Sequence, residues 1–187
     1  MSALLSTNNT NNTNTTITKN NKNNELYKYL LLEEYIYIIP SELDKNIDTI
    51  ILSKLKKKNE GKCYGNYGYI MPNTVEIKKR SSGLINNSSF DGKITYKVNY
   101  IANVCKPVDS IIIECIITSI DKSQIICYIN DKETSPLEIY LFKHNHQGSD
   151  EFLNLKIGDV VNVKIGGSKS QHKDTQIVCI AQYIDKV

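Results

Sequence analysis

The sequence predicts an α+β protein in which a small β-α-β-β unit precedes a five-stranded barrel. Three observations predict it: one amphipathic helical stretch early in the chain, two strand-like runs after it, and five short apolar segments beyond Pro107 separated by turn residues. The 187 residues suffice for one ordinary domain or two small ones. The change of pattern at Pro107 favours two, over residues 27–106 and 107–187. Hydrophobic residues make up 40% and charged residues 23%, which leaves enough apolar area to bury a core.

Residues 7–24 are almost wholly Asn, Thr and Lys, a composition that cannot offset the entropy of ordering, so 1–26 reads as a disordered leader. Order begins near Tyr27. Residues 30–39 move from leucines into β-branched and aromatic residues before Pro40 stops them, the pattern of a strand. Ser41 then offers an N-cap with Glu42 and Asp44 in the first turn. Leu43, Ile47, Ile50, Ile51 and Leu55 follow at helical spacing, opposite Lys45, Asn46 and Lys56. Lys56, Lys57 and Lys58 suit the negative end of that helix, and Gly61 can stop it.

Residues 63–77 read as a strand interrupted by Gly65 and Gly68. Residues 92–104 alternate cleanly, with Ile94, Tyr96, Val98 and Tyr100 on one side and Thr95, Lys97 and Asn99 on the other. Between them, 78–91 reads as a polar loop. The single helix therefore covers one face of a small sheet. Beyond Pro107, strands are expected at 110–119, 124–129, 137–142, 159–165 and 175–183, with no convincing helix. Five short strands in this span suit an OB-type barrel, with the Gly158-Asp159 turn feeding its fourth strand; any other small antiparallel barrel fits the pattern too.

The chemistry-bearing residues are sparse. Cys63, Cys105, Cys115, Cys127 and Cys179 are odd in number, scattered, and set mostly in apolar runs, as free thiols are in a reducing compartment. His144 and His146 lack sulfur or carboxylate neighbours at ligand spacing, so neither zinc nor another cofactor is expected. No Gly-x-Ser-x-Gly elbow, Walker loop or His-Glu-x-x-His pair occurs, and the acidic residues are dispersed; catalysis is not expected. Residues 1–6 carry no basic region, and no segment is long enough to span a membrane, so an intracellular, soluble protein is expected. The formal charge of +3 is uneven: residues 1–100 carry 14 Lys/Arg against 9 Asp/Glu, and 101–187 carry 9 against 11, giving +5 and −2.

From Leu55 to Ile70 the sequence carries a helix ending in Glu60-Gly61 and then Gly-x-Cys-x-Gly-x-Tyr-Gly, formed by Gly61, Cys63, Gly65, Tyr67 and Gly68. Gly83 follows, and then a run containing Val98, Tyr100, Ala102, Val104 and Pro107. These motifs, over roughly residues 30–120, resemble subunit seven of eukaryotic RNA polymerase II and its counterpart in the archaeal RNA polymerase. The resemblance implies a non-catalytic stalk subunit. Its tip domain (27–106) would dock on the polymerase core through Gly61, Cys63, Tyr64, Gly65, Tyr67 and Gly68, and an S1-type OB-fold (107–187) would project beside the exit path of nascent RNA. Implied partners are the large polymerase subunits and other core subunits, a second stalk subunit as in cellular members, and nascent RNA, with no membrane. The residues support docking on their own terms: Gly65 and Gly68 allow close backbone approach, and Tyr64, Tyr67 and Tyr69 are aromatic anchors. The same glycines also fit a bulge, and the tyrosines a core, Tyr69 equally well in either role.

The barrel half departs from the family. Where S1 domains carry a Gly-Phe-Phe-like turn, residues 121–124 are Asp-Lys-Ser-Gln, followed by a strand whose one aromatic is Tyr128. Candidate RNA contacts are Phe142, Lys143 and His144, near His146, and Lys169 and Lys173, near His172; two solvated loops are an equal reading. The Asn/Thr leader and the trimmed S1 half resemble homologues from large DNA viruses, which would place the protein in the virion and host cytoplasm; a cellular member would be nuclear. Two other functions fit the fold: a free S1 RNA-binding protein, and the paralogous stalk subunit of RNA polymerase I or III.

Overall fold

A computed structural model describes residues 25–43, 46–85, 92–146 and 148–187. All but the last two residues of the expected leader lie outside this set, as do Asp44 and Lys45.

Strand β1 (Tyr27–Ile38) turns Leu32, Ile36 and Ile38 into the core, and it pairs antiparallel along its whole length with β6 (Ile94–Cys105). Helix α1 (Ile47–Asn59) lays Ile51 and Leu55 on this face, where they join Val98, Tyr100 and Ala102 in one apolar cluster. The helix starts later than Ser41. Pro40–Glu42 forms a separate 3-10 turn in which the Glu42 carboxylate accepts the Ile39 N–H and pairs with Lys54, and Leu43 stays 43% exposed. Asn46 is the true cap, its Oδ1 accepting the Thr49 N–H at 3.4 Å. Glu42 is thus spent on the turn before the helix begins.

The expected strand 63–77 is a tight hairpin of β2 (Lys62–Tyr64) and β3 (Gly68–Ile70), followed by β4 (Glu76–Arg80). β5 (Leu84–Ile85) falls inside the expected polar loop. β3, β4 and β5 pair in succession along the edge of β6 opposite β1, the last of them at Thr95 and Ile94. β4 carries Lys78, Lys79 and Arg80 because no strand covers its outer edge among the described residues, and charge is the usual composition of an open edge.

All five barrel strands expected after Pro107 are present: β7 (Ile112–Ile120), β8 (Gln124–Tyr128), β9 (Leu137–Phe142), β10 (Val160–Lys169) and β11 (Ile177–Lys186). They close in the order β7-β8-β9-β11-β10, with β10 returning to β7 and only β9–β11 parallel. This closed ring of five fits an OB-like barrel. One short helix was not expected: α2 (Asp150–Leu153), capped by Ser149 Oγ accepting the Phe152 N–H. Four residues show no period to read. The turn delivers Phe152, 1% exposed, into the barrel core and stacks it on His146 at 4.3 Å between ring centres.

The first sheet and α1 keep an apolar cluster of their own, and the barrel's cluster reaches into one end of that sheet. Leu26, Cys63, Tyr69 and Cys105 belong to the same apolar cluster as the barrel interior.

Candidate functional site

The β2–β3 hairpin is built by its glycines. Gly61 takes φ +71° and donates its N–H to the Ile70 carbonyl at 2.9 Å. Gly68 takes φ +121°, and a Cβ there would lie 2.4 Å from the Cys105 carbonyl oxygen, so β3 approaches β6 only as glycine. Gly65, at φ +50°, stands at the tip with open space around it. The tip is held by the Tyr67 N–H on the Tyr64 carbonyl and by Lys106 Nζ on the Asn66 carbonyl at 2.7 Å.

The barrel clasps this hairpin. In the turn between β10 and β11, Asp174 Oδ2 accepts the Gln171 N–H and Lys173 takes φ +75°. The turn then continues the sheet edge: the Cys63 N–H donates to the Asp174 carbonyl, and the Lys173 N–H to the Cys63 carbonyl, both at 2.8 Å. His172 Nδ1 accepts the Gly65 N–H at 3.3 Å, and its ring meets Tyr64 edge-on. Cys63 is therefore buried at the junction, and burial raises its thiol pKa to about 11.

The tyrosines divide. Tyr69 is buried in the barrel's cluster, which decides between its two readings. Tyr64 is half-buried and donates its hydroxyl to Glu34 Oε2 at 2.7 Å; Lys58 Nζ binds the other oxygen at 2.8 Å. Burial pushes the Glu34 carboxyl up, but hydrogen bonds from Lys58, Tyr64 and Asn59 outweigh it and hold the group below its ordinary range. Burial, backed by the Glu34 carboxylate, pushes the Tyr64 phenol well up. Tyr67 stacks on Tyr64 at 5.9 Å and remains 51% exposed. The surface of the segment is thus the Gly65–Tyr67 tip with one side of Tyr64, while Cys63 and Gly68 face inward.

The barrel residues singled out for RNA fall into two groups. β9 and β11 run parallel from Leu137↔Ile177 to Leu141↔Ala181; Lys169, paired with Val178, and Lys173, in the turn before β11, lie at one end of this surface, and Phe142, Lys143 and His144 lie beyond the other. The intervening rise is about 17 Å over five residues. Phe142 stacks between Tyr140, at 6.4 Å, and His144, at 5.5 Å, which makes an outward row of three rings. Tyr140 was legible from its parity with Phe142 on an alternating strand. His146 stands apart from the row. Its Nδ1 meets the Phe142 carbonyl and its Nε2 accepts the Tyr183 N–H, both at 2.8 Å, which a neutral ring with the proton on Nδ1 satisfies. Among the described residues no group of three His, Cys, Asp or Glu could hold a metal ion, and no helix is long and apolar enough to cross a membrane.

The architecture is a helix-backed sheet whose glycine hairpin is clasped by a closed five-stranded, OB-like barrel. The particular likeness is to DNA-directed RNA polymerase subunits. The chain is 27% identical over 173 residues to a candidate polymerase subunit of Acanthamoeba polyphaga mimivirus, covering 86% of this chain and 83% of the relative. It is 25% identical over 174 residues to RNA polymerase II subunit RPB7 of Glycine max, covering 86% and 93%. Over 153 residues it is 27% identical to RNA polymerase II subunit 7 of Arabidopsis thaliana, covering 81% of each. No family model matches the chain. The likeness to subunit seven seen at residues 61–68 therefore extends over most of the chain, and a viral protein stands among the relatives.

Proposed function

We propose that the chain is a non-catalytic stalk subunit of a multisubunit DNA-directed RNA polymerase, with residues 27–106 docking on the core and 107–187 forming an S1-like barrel near the RNA exit. The observation that carries this reading is the likeness to polymerase subunits over both sheets, with the family's glycine hairpin folded as one exposed tip. Within the hairpin the work is divided. Gly61, Cys63 and Gly68 set its shape, and Tyr64, Gly65 and Tyr67 present it to the core, with Tyr67 as the anchor. A second partner surface lies on the outer face of β1, where Tyr29, Leu31, Tyr35 and Tyr37 are exposed in alternation; we assign it to a neighbouring polymerase subunit, the second stalk subunit where one exists. The compartment follows the enzyme: virion and host cytoplasm for a viral polymerase, nucleus for a cellular one.

Copurification from the native source tests the reading. The wild-type chain brings down the two large polymerase subunits in moderate salt, and Tyr67→Asp weakens that association by roughly 30-fold, the loss of one hot-spot anchor. Its unfolding temperature stays unchanged. Undiminished association of Tyr67→Asp overturns the docking assignment. Recovery of ribosomes or free RNA in place of polymerase favours the free S1 protein, and the identity of the largest subunit separates polymerase II from I and III.

RNA contact, in this reading, uses the Tyr140–Phe142–His144 row with Lys143 at one end and Lys169 and Lys173 at the other. The net −2 of residues 101–187 keeps phosphate tracking weak, so stacking carries the contact. Phe142→Ala lowers crosslinking of nascent RNA to the assembled enzyme about fivefold or more, the value of one base stack. Unchanged crosslinking removes this face from the RNA path.

A further inference from the structure

From the second half of β4 into the turn before β5 the chain carries Lys78-Lys79-Arg80-Ser81-Ser82-Gly83, an arrangement that the polymerase reading does not use. Lys78 to Ser82, together with Asp48 in the first turn of α1, line an open groove of about 490 Å³. Arg80 pairs with Asp48 and lies over the Tyr96 ring at 5.6 Å; Lys78 pairs with Glu76 at 2.9 Å. Lys79 is exposed.

The two serines differ. The Ser81 hydroxyl is engaged twice, donating to the Ser82 carbonyl at 2.9 Å and accepting the Lys97 N–H at 3.0 Å, and the residue is half-buried. Ser82 is exposed, and its hydroxyl has no partner among the described residues. Ser81 keeps a last ladder bond to Lys97, after which Ser82 and Gly83 leave the sheet. Lys78 to Arg80 are already extended, with the outer edge of β4 unpaired among the described residues. A free serine hydroxyl preceded by three cations on an extended, one-sided strand is what a kinase selecting substrates by charge would engage.

We propose that Ser82 is a phosphoacceptor for a serine kinase that prefers basic substrates, and that the groove of Lys78, Lys79 and Arg80 receives the phosphate. Ser82 Oγ attacks the γ-phosphorus of ATP, a new O–P bond forms as the bond to the β–γ bridging oxygen breaks, ADP leaves, and the hydroxyl proton passes to the kinase's carboxylate base. The product carries about −1.5 to −2 charges and three acceptor oxygens. Those oxygens compete with Asp48 for Arg80, drawing the guanidinium toward the loop. The site is remote from the docking hairpin: Arg80 pairs at Val98 and Tyr69 of the hairpin at Cys105, seven residues apart on β6, or about 23 Å.

The test treats the purified full chain with magnesium ATP and the catalytic subunit of a cyclic-nucleotide-dependent kinase, with the phosphate located by mass spectrometry. One phosphate on Ser82 is expected, falling at least tenfold in Ser82→Ala, severalfold in Lys79→Ala, and unchanged in Ser81→Ala. Lys79→Ala touches an exposed side chain, so its unfolding temperature matches wild type. Phosphorus NMR reads the groove: the phosphoserine ionises at lower pH in the folded chain than in urea. Phosphate on another residue, none on the folded chain, or indifference to Lys79→Ala overturns the site. Equal ionisation in folded and unfolded chain overturns the groove as its receiver.

Discussion

Gly68→Val is expected to cost at least about 3 kcal/mol of stability, the loss of a strained glycine position together with overpacking. At φ +121° a β-branched residue is outside its allowed backbone region, and the added Cβ would overlap the Cys105 carbonyl. Either β3 leaves β6 or the hairpin refolds. The damage would not stay local, because Cys63, Tyr69 and Cys105 share the barrel's core. Gly65→Val, at φ +50° with no atom within 4 Å of the new Cβ, meets only the left-handed backbone penalty of about 1–2 kcal/mol. Urea unfolding of the two variants should rank them in that order. A Gly68→Val chain as stable as wild type would mean that β3 does not pack on β6. The pair also separates two roles in one motif: Gly65 reports on docking in a folded chain, whereas Gly68 reports on the fold.

Phe152→Ala is expected to cost about 3–5 kcal/mol, the range for deleting a buried aromatic ring. The ring fills the barrel end between His146, stacked at 4.3 Å, and Tyr183, met edge-on at 5.7 Å. His146 in turn holds the Phe142 carbonyl and the Tyr183 N–H, so the cavity would loosen the end of β9 that carries the aromatic row. Thermal unfolding should fall by roughly 10 °C for a chain of this size. Phe152→Leu, which leaves a smaller void, should fall less. A loss under about 1 kcal/mol for Phe152→Ala would show that the ring is not the plug.

Much of this was legible. The alternation of residues 94–100 marked β6 and its buried side, and Ile51 and Leu55 marked the buried stripe of α1. All five barrel strands were visible as apolar runs between turn residues, because each turns one side inward. β4 and β5 were not: β4 ends in charged residues on an open edge, and the two residues of β5, Leu84 and Ile85, are too few to show a period. The helix start was misplaced because Ser41 and Asn46 are both good caps, and only the contacts of Glu42 with Ile39 and Lys54 show which one the backbone uses.

By itself the sequence determined where β1, β6, the five barrel strands and the body of α1 run, which sides they bury, and the hairpin motif through which the chain resembles subunit seven of RNA polymerase II. These rest on local spacing, and local spacing is written in the chain. The tertiary structure alone decided that β9 and β11 pair in parallel to close the barrel, that the Gln171–Asp174 turn clasps Cys63 and Gly65, and that His146 and Phe152 serve the core. Each of these depends on hydrogen bonds or ring contacts that are either made between residues far apart in sequence or set by which side chains reach the core. Such pairings are chosen by packing and by the need to satisfy buried backbone groups, and they leave no period to read.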